Sequence, residues 1–215
     1  MSRPIVVVGA GGHGREVLDI VAAVNAAAEA AGAPVPWSLL GVVDDDPADP
    51  SLLERRGDRL LGPVTALADL DADHVVAIGD GEVRRRLDER IQAWGGRAAV
   101  LVHPSATVGA DVHLGPGVVL AAGAVVTTNV VIGRHSHVNV GAVVSHDVRV
   151  GDHVTISPMA AVNGAAHLGD GAFLGTGAIV TPGRVIGERA VVGAGAVVVG
   201  DVPAGVTATG VPARW

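Results

Sequence analysis

The feature that most constrains this chain is a six-residue repeat that runs without interruption over residues 102–203. The segment divides into seventeen consecutive hexads, and the first residue of every hexad is Val, Leu or Ile. The fifth residue is Ala, Val or Ser in all hexads except one, where Arg184 stands. One large and one small apolar residue in every six predict a three-sided coil of short strands and turns. Three hexads then make one coil of eighteen residues, and the segment is predicted to form a parallel β-solenoid of about 5.7 coils.

Glycine is frequent in this repeat, and aromatic residues make up only 2% of the chain, as suits narrow and evenly filled layers. We expect the glycines at the second hexad position to serve turns whose backbone conformation disfavours side chains, and we assign most of them no chemistry. They are Gly109, Gly115, Gly133, Gly151, Gly169, Gly175, Gly187 and Gly193.

The first hundred residues follow a different pattern, in which short apolar runs alternate with amphipathic or Ala-rich stretches. We predict strands at 5–8, 39–43, 75–78 and 98–102, helices at 15–31 and 82–94, and a loop-rich segment at 46–63. This alternation predicts an α/β, Rossmann-like domain with a parallel sheet. The expected domains are 1–101 for the α/β unit and 102–215 for the all-β solenoid with its C-terminal tail.

Composition excludes several classes of function. The formal net charge is −7, and the 15 basic residues are all Arg in runs too short for a nucleic-acid stripe. The chain has no Cys, which excludes thiolate nucleophiles and thiolate metal sites. It contains no apolar stretch of about 20 residues, so we expect no membrane association and a cytoplasmic location.

A glycine-rich turn, GAGGHG at residues 9–14, follows the first predicted strand and precedes the first predicted helix. Glycines in this context let a pyrophosphate approach the backbone amides at a helix N-terminus. A nucleotide sugar, a dinucleotide and a purely structural turn are all compatible with it, although about 100 residues are few for a dinucleotide fold. Asp44 and Asp45 follow the second strand, where an acidic side chain can accept hydrogen bonds from a ribose or base.

The motifs GAGGHG, VVDDD, AIGDGEVRRRL and HPSATVG, together with the unbroken hexads, resemble the PglD- and NeuD-like sugar acetyltransferases over essentially the whole chain. The resemblance implies a left-handed β-helix and a homotrimer. It also implies acetyl transfer from acetyl-CoA to a nucleotide-linked amino sugar, often at the C4 amine of a 4-amino-4,6-dideoxy sugar, and no metal. The nucleotide-sugar contacts implied by the resemblance are Gly11, Gly12, His13, Asp44, Asp45, Gly79, Asp80 and Arg84.

The same resemblance assigns the chemistry to the solenoid. His146, followed by Asp147, matches the family's catalytic base, and an adjacent carboxylate can orient an imidazole that accepts a proton near neutral pH. Gly164 lies eighteen residues after His146, where the family has an oxyanion-binding backbone amide. Asn139 matches an Asn near the acceptor amine.

The acetyl-CoA contacts implied by the resemblance lie on later coils and in the tail. One family member has a second His nine residues after the catalytic one, and this chain has Thr155 at that position, with His153 nearby. Arg214, in the closing sequence GVPAR, would be the charged contact with CoA. The remaining expected contacts with CoA, which would lie in a groove between subunits, are Gly175, Gly193 and Gly195.

Three other functions use the same parts. An O-acetyltransferase would differ only in its acceptor. A zinc lyase of the γ-carbonic-anhydrase type would draw its three ligands from the histidines of the solenoid. A nucleotide-sugar sensor would use the solenoid only as a scaffold. The sequence names neither the nucleotide base nor the sugar. The histidines available to such a zinc site are His135, His137, His146, His153 and His167.

Overall fold

The computed structural model describes residues 2–47 and 49–215, and the chain divides into two compact units, Met1–Pro104 and Ser105–Trp215. The unit boundary lies three residues beyond the one expected from the repeat. No helix within the described ranges is both long and apolar enough to cross a membrane.

The first unit contains a parallel five-stranded sheet with strand order β3-β2-β1-β4-β5, the order of half a Rossmann fold. All four residues from Ile5 to Val8 have no exposed surface, as expected for a strand in a parallel sheet that is covered on both faces. The elements are β1 Arg3–Val8, α1 Gly12–Ala30, β2 Trp37–Val43, α2 Ser51–Glu54, β3 Leu60–Gly62, a 3₁₀ helix Val64–Asp69, β4 Asp73–Val76, α3 Gly81–Gln92, β5 Arg97–Ala98 and β6 Leu101–Val102.

The loop-rich segment 46–63 also contains two short elements that its sequence did not indicate. They are α2 and the edge strand β3, whose Leu60 pairs with Val42 of β2. The predicted strand 98–102 is two strands, since β5 ends at Ala98 and β6 begins at Leu101. The sheet therefore has one strand more than the hydrophobic pattern showed.

The second unit is a left-handed parallel β-helix whose coils are eighteen residues long. His137, for example, pairs with Val119 on one side and with Thr155 on the other. The last coil is shorter, since Val191 pairs with Thr207. The strands are β7 Thr107–Val108, β8 Val112–Leu114, β9 Val119–Leu120, β10 Val125–Val126, β11 Val130–Ile132, β12 His137–Val138, β13 Val143–Val144, β14 Arg149–Val150, β15 Thr155–Ile156, β16 Ala161–Val162, β17 His167–Leu168, β18 Phe173–Leu174, β19 Ile179–Val180, β20 Val185–Ile186, β21 Val191–Val192, β22 Val197–Val198 and β23 Thr207–Ala208.

These strands form the three sides of the coil. One side runs β7-β10-β13-β16-β19-β22 and the second β8-β11-β14-β17-β20, while the third follows the order β9-β12-β15-β18-β21-β23 within this unit. From Leu120 onward every first-position residue is buried, whereas Val108 in the first coil is 40% exposed. A terminal coil of a solenoid has a neighbour on one side only.

The reason expected for the second-position glycines was wrong. Left-handed backbone occurs instead at the fourth position of every hexad from the second to the sixteenth, as at Asp147 (φ 61°) and Gly177 (φ 67°). At the second position the constraint is close approach between coils. A Cβ on Gly175 would lie 2.6 Å from the Ala194 nitrogen, and one on Gly133 would lie 2.5 Å from the Gly151 carbonyl carbon. The glycines thus let neighbouring coils stack at hydrogen-bonding distance.

Arg184, the exception at the fifth hexad position, is partly exposed rather than buried, as such a long charged side chain requires. Its Nη1 lies 3.8 Å from Asp201 Oδ1, and its Nε donates to the Pro182 carbonyl. The outward orientation lets the aliphatic column continue past it.

Candidate functional site

The glycine-rich turn between β1 and α1 contains two kinds of glycine. Gly9 (φ 116°) lies against the end of β4, where a Cβ would be 2.9 Å from the Ala77 oxygen, and a Cβ on Gly14 would be 1.9 Å from the Gly9 oxygen. These two are required by the turn itself. Gly11 and Gly12 are exposed, and a Cβ on Gly11 would meet nothing within 4 Å.

Gly11 is the N-cap of α1 and provides no side-chain cap for the amides of the first turn. Such amides have no acceptor within the helix, and the helix dipole favours an anion beside them. His13 is the second residue of α1, and its Nδ1 lies 3.0 Å from Glu16 Oε2. The open turn is therefore suited to a phosphate group.

The acidic residues after β2 mainly organise the loops around them. Asp44 accepts hydrogen bonds from the Ala10 amide at 2.6 Å and the Asp46 amide at 2.8 Å. Asp45 accepts from the Val64 amide at 2.8 Å and from Arg90 at 2.9 Å. The Val64 N–H first, and then Arg90, hold the pKa of the Asp45 carboxyl below its usual value. Asp44 thus connects the end of β2 to the glycine turn that follows β1.

The turn between β4 and α3 contains two more of the predicted nucleotide contacts, Gly79 and Asp80. Asp80 caps α3 by accepting hydrogen bonds from the Glu82 and Val83 amides, both at 2.9 Å. Gly79 is exposed, and a Cβ there would meet nothing within 4 Å. Because β4 lies beside β1, this turn and the glycine turn are at the same edge of the sheet.

Arg84 differs from its expected role as a ligand contact. Its side chain has no exposed surface, and Nη1 donates to the Ile78 carbonyl at 2.6 Å and to the Gly79 carbonyl at 3.3 Å. Burial lowers the pKa of its guanidinium to about 10, which the nearby Asp80 partly opposes. Arg84 therefore supports the turn from within the domain.

The solenoid brings His146 and Asp147 together in the turn after β13. His146 Nδ1 lies 2.8 Å from Asp147 Oδ2, and the His146 side chain is 62% exposed. The pKa of the Asp147 carboxyl is held below its usual value, first by the hydrogen bond from His146 and then by one from Asn129. An ionised carboxylate can only accept a hydrogen bond, so in the neutral imidazole Nδ1 carries the proton and Nε2 has the lone pair.

Gly164 lies one coil further along, directly against the His146 imidazole. A Cβ on Gly164 would be 2.4 Å from His146 Cε1 and 2.6 Å from Nε2, so only glycine leaves the ring where it is. Asn139 does not join this group within one chain, because it precedes β13 while His146 follows it. Its Nδ2 donates to the Ile156 carbonyl at 3.0 Å, a contact between coils.

The expected acetyl-CoA contacts are dispersed on the solenoid. Thr155 is 5% exposed in β15, and the nearby His153 ring stacks on His135 with 5.8 Å between centroids. Gly195 (φ 67°) is exposed and open, and Arg214 is exposed with Nη1 donating to the Ala213 carbonyl. Gly175 and Gly193 allow close approach between coils. A Cβ added to Gly193, for example, would lie 2.9 Å from Thr209 Cγ2.

Sequence reasoning missed Asn129, whose Nδ2 donates to Asp147 Oδ1 at 3.2 Å. The signal was available, because Asn129 stands eighteen residues before Asp147 and therefore one coil away.

Comparison with known proteins extends over both units. A family model for the PglD N-terminal domain matches residues 4–91, and one for the bacterial transferase hexapeptide (six repeats) matches residues 165–200. A search of curated proteins found no match.

Three solved structures resemble the chain over nearly its whole length. The acetyltransferase domain of PglB from Neisseria gonorrhoeae FA1090, in complex with acetyl coenzyme A, is 33% identical, with 100% of this chain and 99% of that chain covered and a TM-score of 0.87. PerB from Caulobacter crescentus, in complex with CoA and GDP-perosamine, is 37% identical, with 98% and 96% covered and a TM-score of 0.85. WeeI from Acinetobacter baumannii AYE is 31% identical, with 98% of each chain covered and a TM-score of 0.83. At this identity and coverage, the chain belongs to the PglD-like family of acetyl-CoA-dependent sugar acetyltransferases.

Proposed function

We propose that this chain transfers the acetyl group of acetyl-CoA to the amine of a nucleotide-linked 4-amino-4,6-dideoxy sugar, with His146 as the general base. The observation that carries this proposal is the pairing of His146 with Asp147, with Gly164 against the imidazole ring. A thioester acyl transfer needs a base for the attacking amine and a donor for the oxyanion, and we assign these roles to His146 and to the Gly164 amide one coil further along.

The proposed chemistry uses the free lone pair of His146 Nε2. The sugar amine attacks the thioester carbonyl carbon, and Nε2 takes the proton that the amine loses. The Gly164 amide donates to the oxyanion of the tetrahedral intermediate. The C–S bond then breaks, and the imidazolium returns its proton to the leaving CoA sulfur. Asp147 keeps the imidazole in the required tautomer and stabilises the imidazolium.

The first unit supports a nucleotide-linked acceptor. The open N-terminus of α1 suits a diphosphate, and it shares a sheet edge with Gly79 and Asp80. We assign contacts with the nucleotide sugar to Gly11, Gly12, His13, Asp44, Asp45, Gly79 and Asp80, and a supporting role to Arg84. PerB, which is similar to this chain, binds GDP-perosamine and CoA.

We further propose a homotrimer in which acetyl-CoA lies beside the solenoid. The outward residues on the β7-β10-β13-β16-β19-β22 side are uncharged, which favours contact with another copy. Such contact would also let Asn139 of one subunit approach the acceptor beside His146 of another. The mass of the particle in solution, by light scattering, tests the trimer. The outward residues are Thr107, Val125, Val143, Ala161, Ile179 and Val197, and the acetyl-CoA contacts we assign are Thr155, Gly175, Gly193, Gly195 and Arg214.

A thiol-release assay with acetyl-CoA and a panel of UDP-, dTDP- and GDP-linked amino sugars tests the function. We expect turnover with a 4-amino-4,6-dideoxy sugar. We expect His146→Ala to lose about 10²- to 10⁴-fold in kcat while binding of acetyl-CoA, measured by calorimetry, is retained. Product stable to hydroxylamine is an amide, whereas cleavable product is an ester and would assign O-acetylation. Reaction with free amines but with no nucleotide sugar would contradict the proposed acceptor.

A further inference from the structure

Asn129 and Asp147 occupy equivalent places in the solenoid. Each is the fourth residue of its hexad, they are one coil apart, and both have left-handed backbone, with φ of 55° and 61°. Asn129 Nδ2 donates to Asp147 Oδ1 at 3.2 Å, while Asp147 Oδ2 faces His146 Nδ1 at 2.8 Å. The two oxygens of the carboxylate are therefore divided between Asn129 and His146.

The fold alone does not require an amide at position 129. Glycine fills the fourth position in several hexads, as at Gly177 and Gly195, and it has left-handed backbone there. Asn tolerates this conformation better than most residues with a Cβ, and it adds a hydrogen-bond donor. The equivalent residue one coil earlier, Asp111, has the same backbone conformation, but its carboxylate lies 3.2 Å from His113. Asn129 is thus the residue at this corner whose side-chain amide donates to Asp147, the carboxylate that orients His146.

We propose that Asn129 is a positioning residue that acts through Asp147 on the catalytic base, an inference that rests on the role proposed above for His146. With Oδ1 held by Asn129, rotation of the carboxylate is restrained and Oδ2 stays on Nδ1. The imidazole then stays in the tautomer whose Nε2 can take the proton. Asn129 itself does not touch the reacting atoms.

Two substitutions test this role without straining the backbone. Asn129→Gly removes the donor and keeps a residue that favours left-handed backbone. We expect kcat to fall about three- to tenfold, as for the loss of one hydrogen bond of ordinary strength, while KM for both substrates stays within about twofold. Nitrogen-15 NMR of His146 should show a smaller fraction of the tautomer protonated at Nδ1.

Asn129→Asp is isosteric and adds a carboxylate beside Asp147. The added negative charge favours the imidazolium, so the acid limb of the pH profile of kcat/KM should move to higher pH. This shift reports that position 129 is electrostatically coupled to the imidazole, and the tautomer measurement on Asn129→Gly carries the test of the positioning role. Asp111→Gly is the matched control, at the same hexad position and corner one coil away, and it should change neither the tautomer nor the pH profile.

The NMR readout separates this inference from the proposed function, because it needs no acceptor. If His146 keeps the same tautomer in Asn129→Gly as in the wild type, the positioning role is wrong even when His146→Ala abolishes turnover. If the tautomer shifts but no nucleotide sugar is acetylated, the positioning role stands and the proposed function fails. Equal effects of Asp111→Gly and Asn129→Gly would show a general disturbance of the corner and would also overturn the inference.

Discussion

Gly164→Ala should slow the reaction strongly while leaving the fold intact. The new Cβ would lie 2.4 Å from His146 Cε1 and 2.6 Å from Nε2, whereas carbon atoms in ordinary contact are about 3.5 Å apart. The imidazole must therefore retreat by about 1 Å, and a misplacement of that size costs roughly 10²-fold in rate. The backbone amide of residue 164 is kept, so the loss would come from the displaced base rather than from a missing oxyanion donor.

The effect on stability should be small. Gly164 does not have left-handed backbone, so Ala fits its conformation, and the replacement restricts the unfolded chain by about 0.4–1 kcal/mol in favour of folding. The clash is with the side chain of His146, which is 62% exposed in the single chain and can swing away. We expect the melting temperature to stay within a few degrees of the wild type, because free-energy changes of this size shift it by no more than that.

Gly200→Ala provides the matched control. Gly200 is the third residue of its hexad, as Gly164 is, and it lies at the same corner two coils later. A Cβ there would meet Trp215 at 3.6 Å, an ordinary contact. Thiol release should be normal in Gly200→Ala and about 10²-fold slower in Gly164→Ala. A folded Gly164→Ala enzyme that keeps its kcat would show that the imidazole does not work from its place against Gly164, and the steric reasoning would be refuted.

Three further predictions concern the rest of the chain. Gly14→Ala places a Cβ 1.9 Å from the Gly9 oxygen, a backbone clash that no rotamer relieves, and urea titration should show a loss of about 2 kcal/mol or more; unchanged stability would mean that the turn is not this tight. Arg184→Ala restores the small residue of the repeat and removes a solvent-exposed ion pair and one long, exposed hydrogen bond to the Pro182 carbonyl. Thermal melts should therefore show a change within about 0.5 kcal/mol, and a large loss would reveal an unseen partner. Asp45 has a folded-state pKa below the ordinary 3.8, mainly because the Val64 amide donates to it. The stabilisation that Asp45 contributes is therefore present above pH 3.8 and is lost as the pH falls through the lowered pKa. In Asp45→Asn the free energy of unfolding should depend less steeply on pH below 3.8.

The solenoid could be predicted from the sequence because its core is periodic. A first-position aliphatic and a fifth-position small residue are set by the local coil, and no long-range information is needed. The edge strand β3 shows the opposite case. Its residues Leu60–Gly62 lie among the prolines and glycines of 46–63, and the strand exists because β2 offers a free edge for pairing. Three residues among prolines and glycines are too few to show the hydrophobic pattern from which a strand is predicted.

The sequence did not predict the role of Arg84, because that role depends on the residue at which α3 begins. Asp80 caps that helix, and the start at Gly81 turns Arg84, Asp88 and Ile91 toward the interior. These three positions lie on one face of a helix, and their spacing can be recognised in the sequence. A buried arginine, however, contradicts the rule that charged side chains are usually exposed. The carbonyls that accept hydrogen bonds from its guanidinium, those of Ile78 and Gly79, belong to the turn rather than to any helix pattern.

The site on the solenoid obeys a simpler rule, which explains why it could largely be found without a structure. Each coil except the last is eighteen residues, so a residue touches those eighteen before and after it at the same corner. His146 meets Gly164 by this rule, and Asp147 meets Asn129. The rule does not say which atoms face each other, since that depends on backbone conformation at the fourth position. Because Asn129 and Asp147 are both left-handed there, their side chains meet along the stack, and the carboxylate can hold His146 on one oxygen while Asn129 holds the other. A periodic scaffold thus fixes which residues are neighbours, and the choice of Asn rather than Gly at position 129 adds the hydrogen bond that the scaffold alone does not supply.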